Sequence, residues 1–313
     1  MSKYLPSNDG SQCDLQHAVR RRTASTRRSL ARGLALAVLL AVLLCAAAGE
    51  LLSRPANRTV GAAPPALGTK DVSLDLPGGG TVAGWFVQGA PGRGAILLLH
   101  GLRADRRQML ARAQLFKDLG YSVLLIDLPA HGESSGDRVT FGWREAHGVN
   151  ATLAYLRAAV PGERIGVVGV SLGAAALVLA SPSPPPAAVV LESMYPTITQ
   201  AAENRLVMRL GGVGAGLAPL LLWQLPLRAG VSAEQLRPIT LLAGLGAPVL
   251  VASGTADRHT TVAETREIFQ AAAEPRELWL VDGAAHGDLQ AHDPAAYAAR
   301  VASFIERHLR AGG

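Results

Sequence analysis

The run Ile165 to Ala175 reads IGVVGVSLGAA: an apolar strand, a tight Gly-x-Ser-x-Gly turn formed by Gly169, Ser171 and Gly173, then the start of a helix rich in Ala and Leu. A serine lifted onto such a strand-to-helix joint is placed for nucleophilic attack, because the flanking glycines let strand and helix close together beneath it. The helix N-terminus also turns backbone N–H groups toward developing negative charge. A hydroxyl is a poor nucleophile until an imidazole takes its proton, so one of the chain's 8 histidines is required. His286 answers best, in the small-residue loop VDGAAHG at 281–287 that follows the last apolar strand. An acid is needed to orient that imidazole, and Asp257 ends the run GTAD after the preceding strand. The order Ser171, Asp257, His286 puts each residue at a strand end, as a triad of this order demands. Two backbone donors complete the constellation: Leu172, directly after the serine, and Leu102 in the loop His100-Gly101-Leu102 after an early strand. One such donor is worth about 2.7 to 4 kcal/mol of transition-state stabilisation.

Other polar residues admit simpler readings. Asp282 lies too close to His286 to serve as its orienting acid. His100 reads as a loop-positioning residue, and His131 as a loop residue bordering the pocket. Glu192 reads as either a pocket residue or a hydrogen-bonding partner of the loop backbone. His286, Asp288, His292 and Asp293 have spacings a metal could use, but His286 is better used in a triad, so no metal site is assigned. Gly78-Gly79-Gly80 lacks the lysine of a phosphate loop and reads as a hairpin turn. No metal or organic cofactor is expected.

The elements that must position these residues follow from the apolar pattern. Val72 to Leu76 and Val82 to Val87 flank the glycine turn and predict an antiparallel hairpin. Apolar runs at 95–99, 121–126, 165–170, 187–191, 248–253 and 278–281 then alternate with amphipathic stretches at 108–119, 144–159, 172–180, 262–273 and 295–310. That alternation predicts an α/β domain over 71–313, with a mostly parallel sheet, the N-terminal hairpin at its start and helices on both faces. Residues 205–236, apolar but broken by Gly and Pro, read either as a core helix pair beside the sheet or as a cap insertion, covering substrate or dipping into a membrane.

Seven basic residues and two acidic ones precede Gly33, so five of the six net positive charges lie in a tail over 1–32. The domain is nearly neutral and poor in aromatics, which excludes nucleic-acid binding. Residues 33–52 carry no charge before Glu50 and predict a transmembrane signal anchor, with the basic end in the cytoplasm and the domain on the periplasmic or extracellular side. The alternative is a signal cleaved near Ala46-Ala47-Ala48, giving a secreted protein. Residues 53–70, rich in Pro, Ala and Gly, predict a linker. Both cysteines, Cys13 and Cys45, precede the domain, which therefore has no internal disulfide.

The segments LLLHG at 97–101, DLPAHGESSG at 127–136, GVSLG at 169–173, LES at 191–193, GTAD at 254–257 and AAHGD at 284–288 give the chain a resemblance to α/β-hydrolases. Within these it resembles the membrane-anchored serine hydrolases of the BEM46 or ABHD13 kind. The resemblance implies cofactor-free cleavage of an ester, thioester or amide, and names no substrate. The apolar run at 205–236 and the tether suggest an apolar or lipid-like acyl substrate. An acyltransferase using the same triad and a non-catalytic, membrane-tethered binding protein are the competing expectations.

Overall fold

The computed structural model describes residues 9–310, with side chains from residue 30 onward, so residues 1–8 of the basic tail lie outside the described residues. The chain divides into two units, residues 1–48 and 49–313. The described residues of the first are helical and belong to α1 (Asp9–Ser53). Within α1, Leu30–Ser53 is long and apolar enough to cross a membrane.

The second unit opens with β1 (Ala56–Asn57), β2 (Lys70–Asp75), β3 (Thr81–Val87) and β4 (Ala95–Leu99). Next come α2 (Leu110–Asp118), β5 (Ser122–Ile126), β6 (His131–Gly132), α3 (Trp143–Ala159), β7 (Ile165–Val170), α4 (Leu172–Ala180) and β8 (Ala188–Glu192). Short helices α5 (Ile198–Leu210), α6 (Ala218–Leu222) and α7 (Leu225–Ala229) follow, and then β9 (Val249–Gly254), α8 (Val262–Ala271) and β10 (Arg276–Val281). The chain closes with α9 (Leu289–His292), α10 (Pro294–Tyr297) and α11 (Ser303–Arg310).

The main sheet has 8 strands in the order β10-β9-β8-β7-β4-β5-β3-β2. The β2–β3 hairpin is antiparallel and β3 joins β5 antiparallel, while β4, β5 and β7 to β10 run parallel. Because side chains alternate across a strand, one apolar run feeds two cores. Leu97 and Leu99 of β4 pack on one face with Val167 and Leu177, whereas Ile96 and Leu98 pack on the other with Phe116 and Phe304. All of these side chains are fully buried, each stabilising the fold by roughly 1.5–3 kcal/mol through removal from water.

The expected linker at 53–70 is instead part of the body. Ala56 and Asn57 pair in parallel with His131 and Gly132, and Val60 and Leu67 are buried against the second core. A Pro- and Gly-rich composition gave no periodic signal for this packing because single residues, not a stripe, make the contacts. The segment 205–236 forms broken helices around a small separate core, in which its Leu225, Ala229, Val231 and Leu236 are buried together with Ile198 at the start of α5.

Candidate active site

Ser171 stands between β7 and α4 with φ 50° and ψ −107°, a conformation that costs a non-glycine residue roughly 1–3 kcal/mol. Its neighbours explain how the turn is held. A Cβ on Gly169 would fall 2.7 Å from the backbone of Ala174, and one on Gly173 would fall 2.6 Å from the Leu99 carbonyl oxygen. Both positions therefore need glycine. The Ser171 N–H donates to the carbonyl of Glu192 (2.8 Å), fixing the turn to the end of β8.

Asp257 and His286 are brought together by two loops at the ends of β9 and β10. The Thr255 and Ala256 N–H groups donate to the carbonyls of Val281 and Ala284, 2.9 Å each, so the loops are stitched by backbone. Gly254 allows this approach, since a Cβ there would sit 1.9 Å from the Ala284 oxygen. The result is a 2.8 Å hydrogen bond between His286 Nδ1 and Asp257 Oδ2. The second carboxylate oxygen accepts the N–H groups of His259 (2.8 Å) and Thr260 (3.0 Å). Burial pushes the Asp257 carboxyl up, but the hydrogen bond and charge of His286, together with those N–H donors, outweigh burial and hold it below the usual range.

Ser171, His286, Gly101 and Leu102 line one cavity of about 260 Å³. No hydrogen bond joins the Ser171 hydroxyl to the imidazole in this arrangement, and such contacts commonly tighten only when substrate is bound. The Leu172 N–H opens α4 and so has no acceptor within its helix. The Leu102 loop is held from behind. Gln108 Oε1 accepts the Gly101 N–H at 2.7 Å. Buried His100 donates from Nδ1 to the Gly101 carbonyl (2.7 Å) and accepts the Leu128 N–H at Nε2 (3.0 Å). Burial, helped by the nearby charge of His131, lowers the His100 pKa to about 3, so this imidazole is neutral and acts as a strut.

Glu192 does not enter the cavity. Its carboxylate pairs with buried Arg112 (2.6 Å) and accepts the Tyr297 hydroxyl (2.5 Å), while Arg112 also reaches Asp288 at 2.9 Å. Asp288 in turn caps α9, just beyond His286. This clamp ties the strand beside the serine to the histidine loop, and a lone Arg in an amphipathic helix gave no sequence hint of it. Asp288, His292 and Asp293, considered as metal ligands, are occupied by that ion pair, by the Asp282 carbonyl and by capping of α10.

Four further cavity residues escaped the sequence reading: Arg103, Gln108, Arg205 and His259. The His259 ring lies 4.6 Å from that of His286, centre to centre, and burial followed by the His286 charge lowers its pKa. Arg205 had one available signal, a cation at the head of a largely apolar run.

A doubly covered parallel sheet, a strained serine at a strand-to-helix joint and an Asp–His pair over the same cavity define a hydrolase architecture. Residues 96–300 match the model of the alpha/beta hydrolase family, and the chain belongs to that family. An uncharacterized protein of Mycobacterium tuberculosis is 32% identical over 223 residues, covering 70% of this chain and 73% of its own. Uncharacterized protein YqkD of Bacillus subtilis is 24% identical, covering 67% and 70%. Among solved structures, an esterase of Pyrococcus furiosus superposes with a TM-score of 0.70 at 22% identity, covering 82% of this chain and 98% of its own. A thermophilic esterase from Thermogutta terrifontis gives 0.57 at 18%, covering 77% and 99%. At these identities the structural likenesses speak to the fold.

Proposed function

We propose that the protein is a serine hydrolase that cleaves an ester, thioester or amide through an acyl-enzyme. The Asp257–His286 hydrogen bond over the cavity that holds Ser171 is the observation that carries this reading. Ser171 Oγ attacks the acyl carbonyl while His286 Nε2 takes its proton. Asp257, kept ionised, holds the imidazole with Nε2 toward the cavity and stabilises the imidazolium. The N–H groups of Leu102 and Leu172 receive the oxyanion. Collapse of the tetrahedral intermediate breaks the bond to the leaving group, which takes the proton from His286. Water, deprotonated by His286, then attacks the acyl-enzyme, and the acid leaves as Ser171 recovers its proton.

The helix within α1 serves in this reading as a signal anchor over 33–52, with the basic tail cytoplasmic and the hydrolase domain outside. The segment at 205–236 serves as a cap. A lipid-like substrate gains little support from the cavity, because Leu210, Val213, Leu217, Leu220, Trp223 and Leu227 are exposed and none lines it. The test is turnover of 4-nitrophenyl esters and acyl thioesters by the full chain in detergent. Turnover that yields free acid and disappears in Ser171→Ala supports the reading; acyl transfer to an added alcohol without acid release, or no turnover by folded protein, contradicts it.

A further inference from the structure

Two arginines of the hydrolase unit, Arg106 and Arg112, are buried and neutralised, and a third, Arg205, is half-buried on the cavity wall. Arg106 pairs with Asp127 and Glu133 (2.5 Å each), and Arg112 with Glu192 and Asp288. Arg205 differs. Its only hydrogen bond among the described residues runs from Nη1 to the Ala201 carbonyl one turn back (3.0 Å), and no described carboxylate lies within ion-pairing distance. Burial lowers its pKa, the mark of a cation short of compensation.

Its position is fixed by the residue before it. Asn204 Nδ2 donates to the His259 carbonyl (3.1 Å) and to the Glu264 carboxylate (2.8 Å), which fastens α5 to the Asp257 loop and to the start of α8. Arg205 thereby lines the cavity, and the two carboxylates whose charge it feels, Asp257 and Glu264, pair with other groups: Asp257 with His286, and Glu264 with Asn204 and Thr261. Arg103, also on the cavity wall, spends Nη1 on the carbonyls of Leu51 and Arg54. Leaving a partly desolvated guanidinium unpaired costs stability, and a planar carboxylate matches its fork with two parallel hydrogen bonds.

We propose that Arg205 is a substrate-binding residue for a carboxylate, so that the preferred acyl substrate carries a negative charge at the end remote from its scissile bond. The inference rests on the acyl-enzyme reading above and names the substrate class of that site. A single guanidinium calls for a monoanion, and the cavity of about 260 Å³ accommodates a short acyl chain.

The experiment compares 4-nitrophenyl hexanoate with the mono-4-nitrophenyl ester of adipic acid, which replaces the terminal methyl by a carboxylate. Both are assayed with the full chain in detergent, with the Ser171→Ala rate subtracted as background. The expected wild-type kcat/KM favours the adipate ester by about tenfold or more, within the range of a charge-assisted hydrogen bond. Arg205→Met abolishes that ratio, Arg205→Lys keeps part of it, and added salt weakens it. The ratio is internal to each protein, so partial loss of folded enzyme does not disturb it, and the wild-type comparison stands without any variant. Equal or lower wild-type kcat/KM for the adipate ester overturns the subsite and leaves the hydrolase reading intact. A preference retained in Arg205→Met overturns the assignment to Arg205. Absence of turnover with both esters, together with no fluorophosphonate adduct, removes the hydrolase reading and the subsite with it.

Discussion

The outer surface of the helical segment after β8 and the cavity wall to which it contributes have opposite character. Outside, Val213 and Leu227 are each 76% exposed and Trp223 59%. Inside, the same segment presents Arg205 beside His259, Gln108 and Arg103. The apolar residues are thus on the wrong side to receive an acyl chain, and the polar one is on the side where the serine stands. An apolar stretch in a sequence reports what some surface can bury, and says nothing of which surface faces the substrate.

If chemistry belongs to the wall and not to the outer surface, substitutions should separate the two sharply. The largest effect is expected for Ser171→Ala, a loss in kcat on the order of 10⁵ to 10⁶, measured as burst-free ester turnover. Next comes Asp257→Asn, which keeps the shape but removes the charge that fixes the His286 tautomer, with a fall of about 10⁴ in kcat. Behind the wall, Arg112→Met strands Glu192 and Asp288 and should lower the unfolding free energy by about 3–5 kcal/mol in urea titrations.

A smaller effect comes from His100. Its folded pKa of about 3 lies below the ordinary 6.5, so the unfolded chain binds more protons between those values. Stability from this residue is complete above about pH 6.5 and is lost as pH falls toward 3, up to ~1.4 kcal/mol per unit. Urea midpoints at pH 7 and pH 5.5 should differ by the equivalent of roughly 1 kcal/mol, the lower pH being less stable. The smallest effect belongs to the outer surface. Leu227→Ser and Val213→Ser should leave kcat/KM for a soluble ester within about twofold and stability within about 0.5 kcal/mol. A tenfold loss of activity in either would erase the contrast between the two surfaces.

Much of this was readable beforehand, for physical reasons that differ by residue. Ser171 announced itself because a glycine-flanked turn leaves a local signature, and the apolar runs marked the parallel sheet because strands buried on both faces are continuously apolar. The pairing of Asp257 with His286 was legible from their order along the chain, since strand ends converge at one edge of such a sheet. The Arg112–Glu192–Asp288 clamp was not legible. It joins α2, β8 and the His286 loop across more than 170 residues of sequence, and each partner alone resembles an ordinary surface charge. Residues 53–70 misled because isolated contacts such as Val60 and Leu67 leave no period, so composition alone suggested a tether. Arg205 was hidden by its company, a charge at the edge of a run dominated by Leu, Gly and Ala.

The most direct test of the central claim is covalent. The full chain in detergent is exposed to a fluorophosphonate beside Ser171→Ala, and the intact proteins are weighed. One adduct per wild-type chain, mapped to Ser171 and absent from the variant, is the expected result; a folded wild type that stays unmodified, or an adduct that persists in Ser171→Ala, would contradict it.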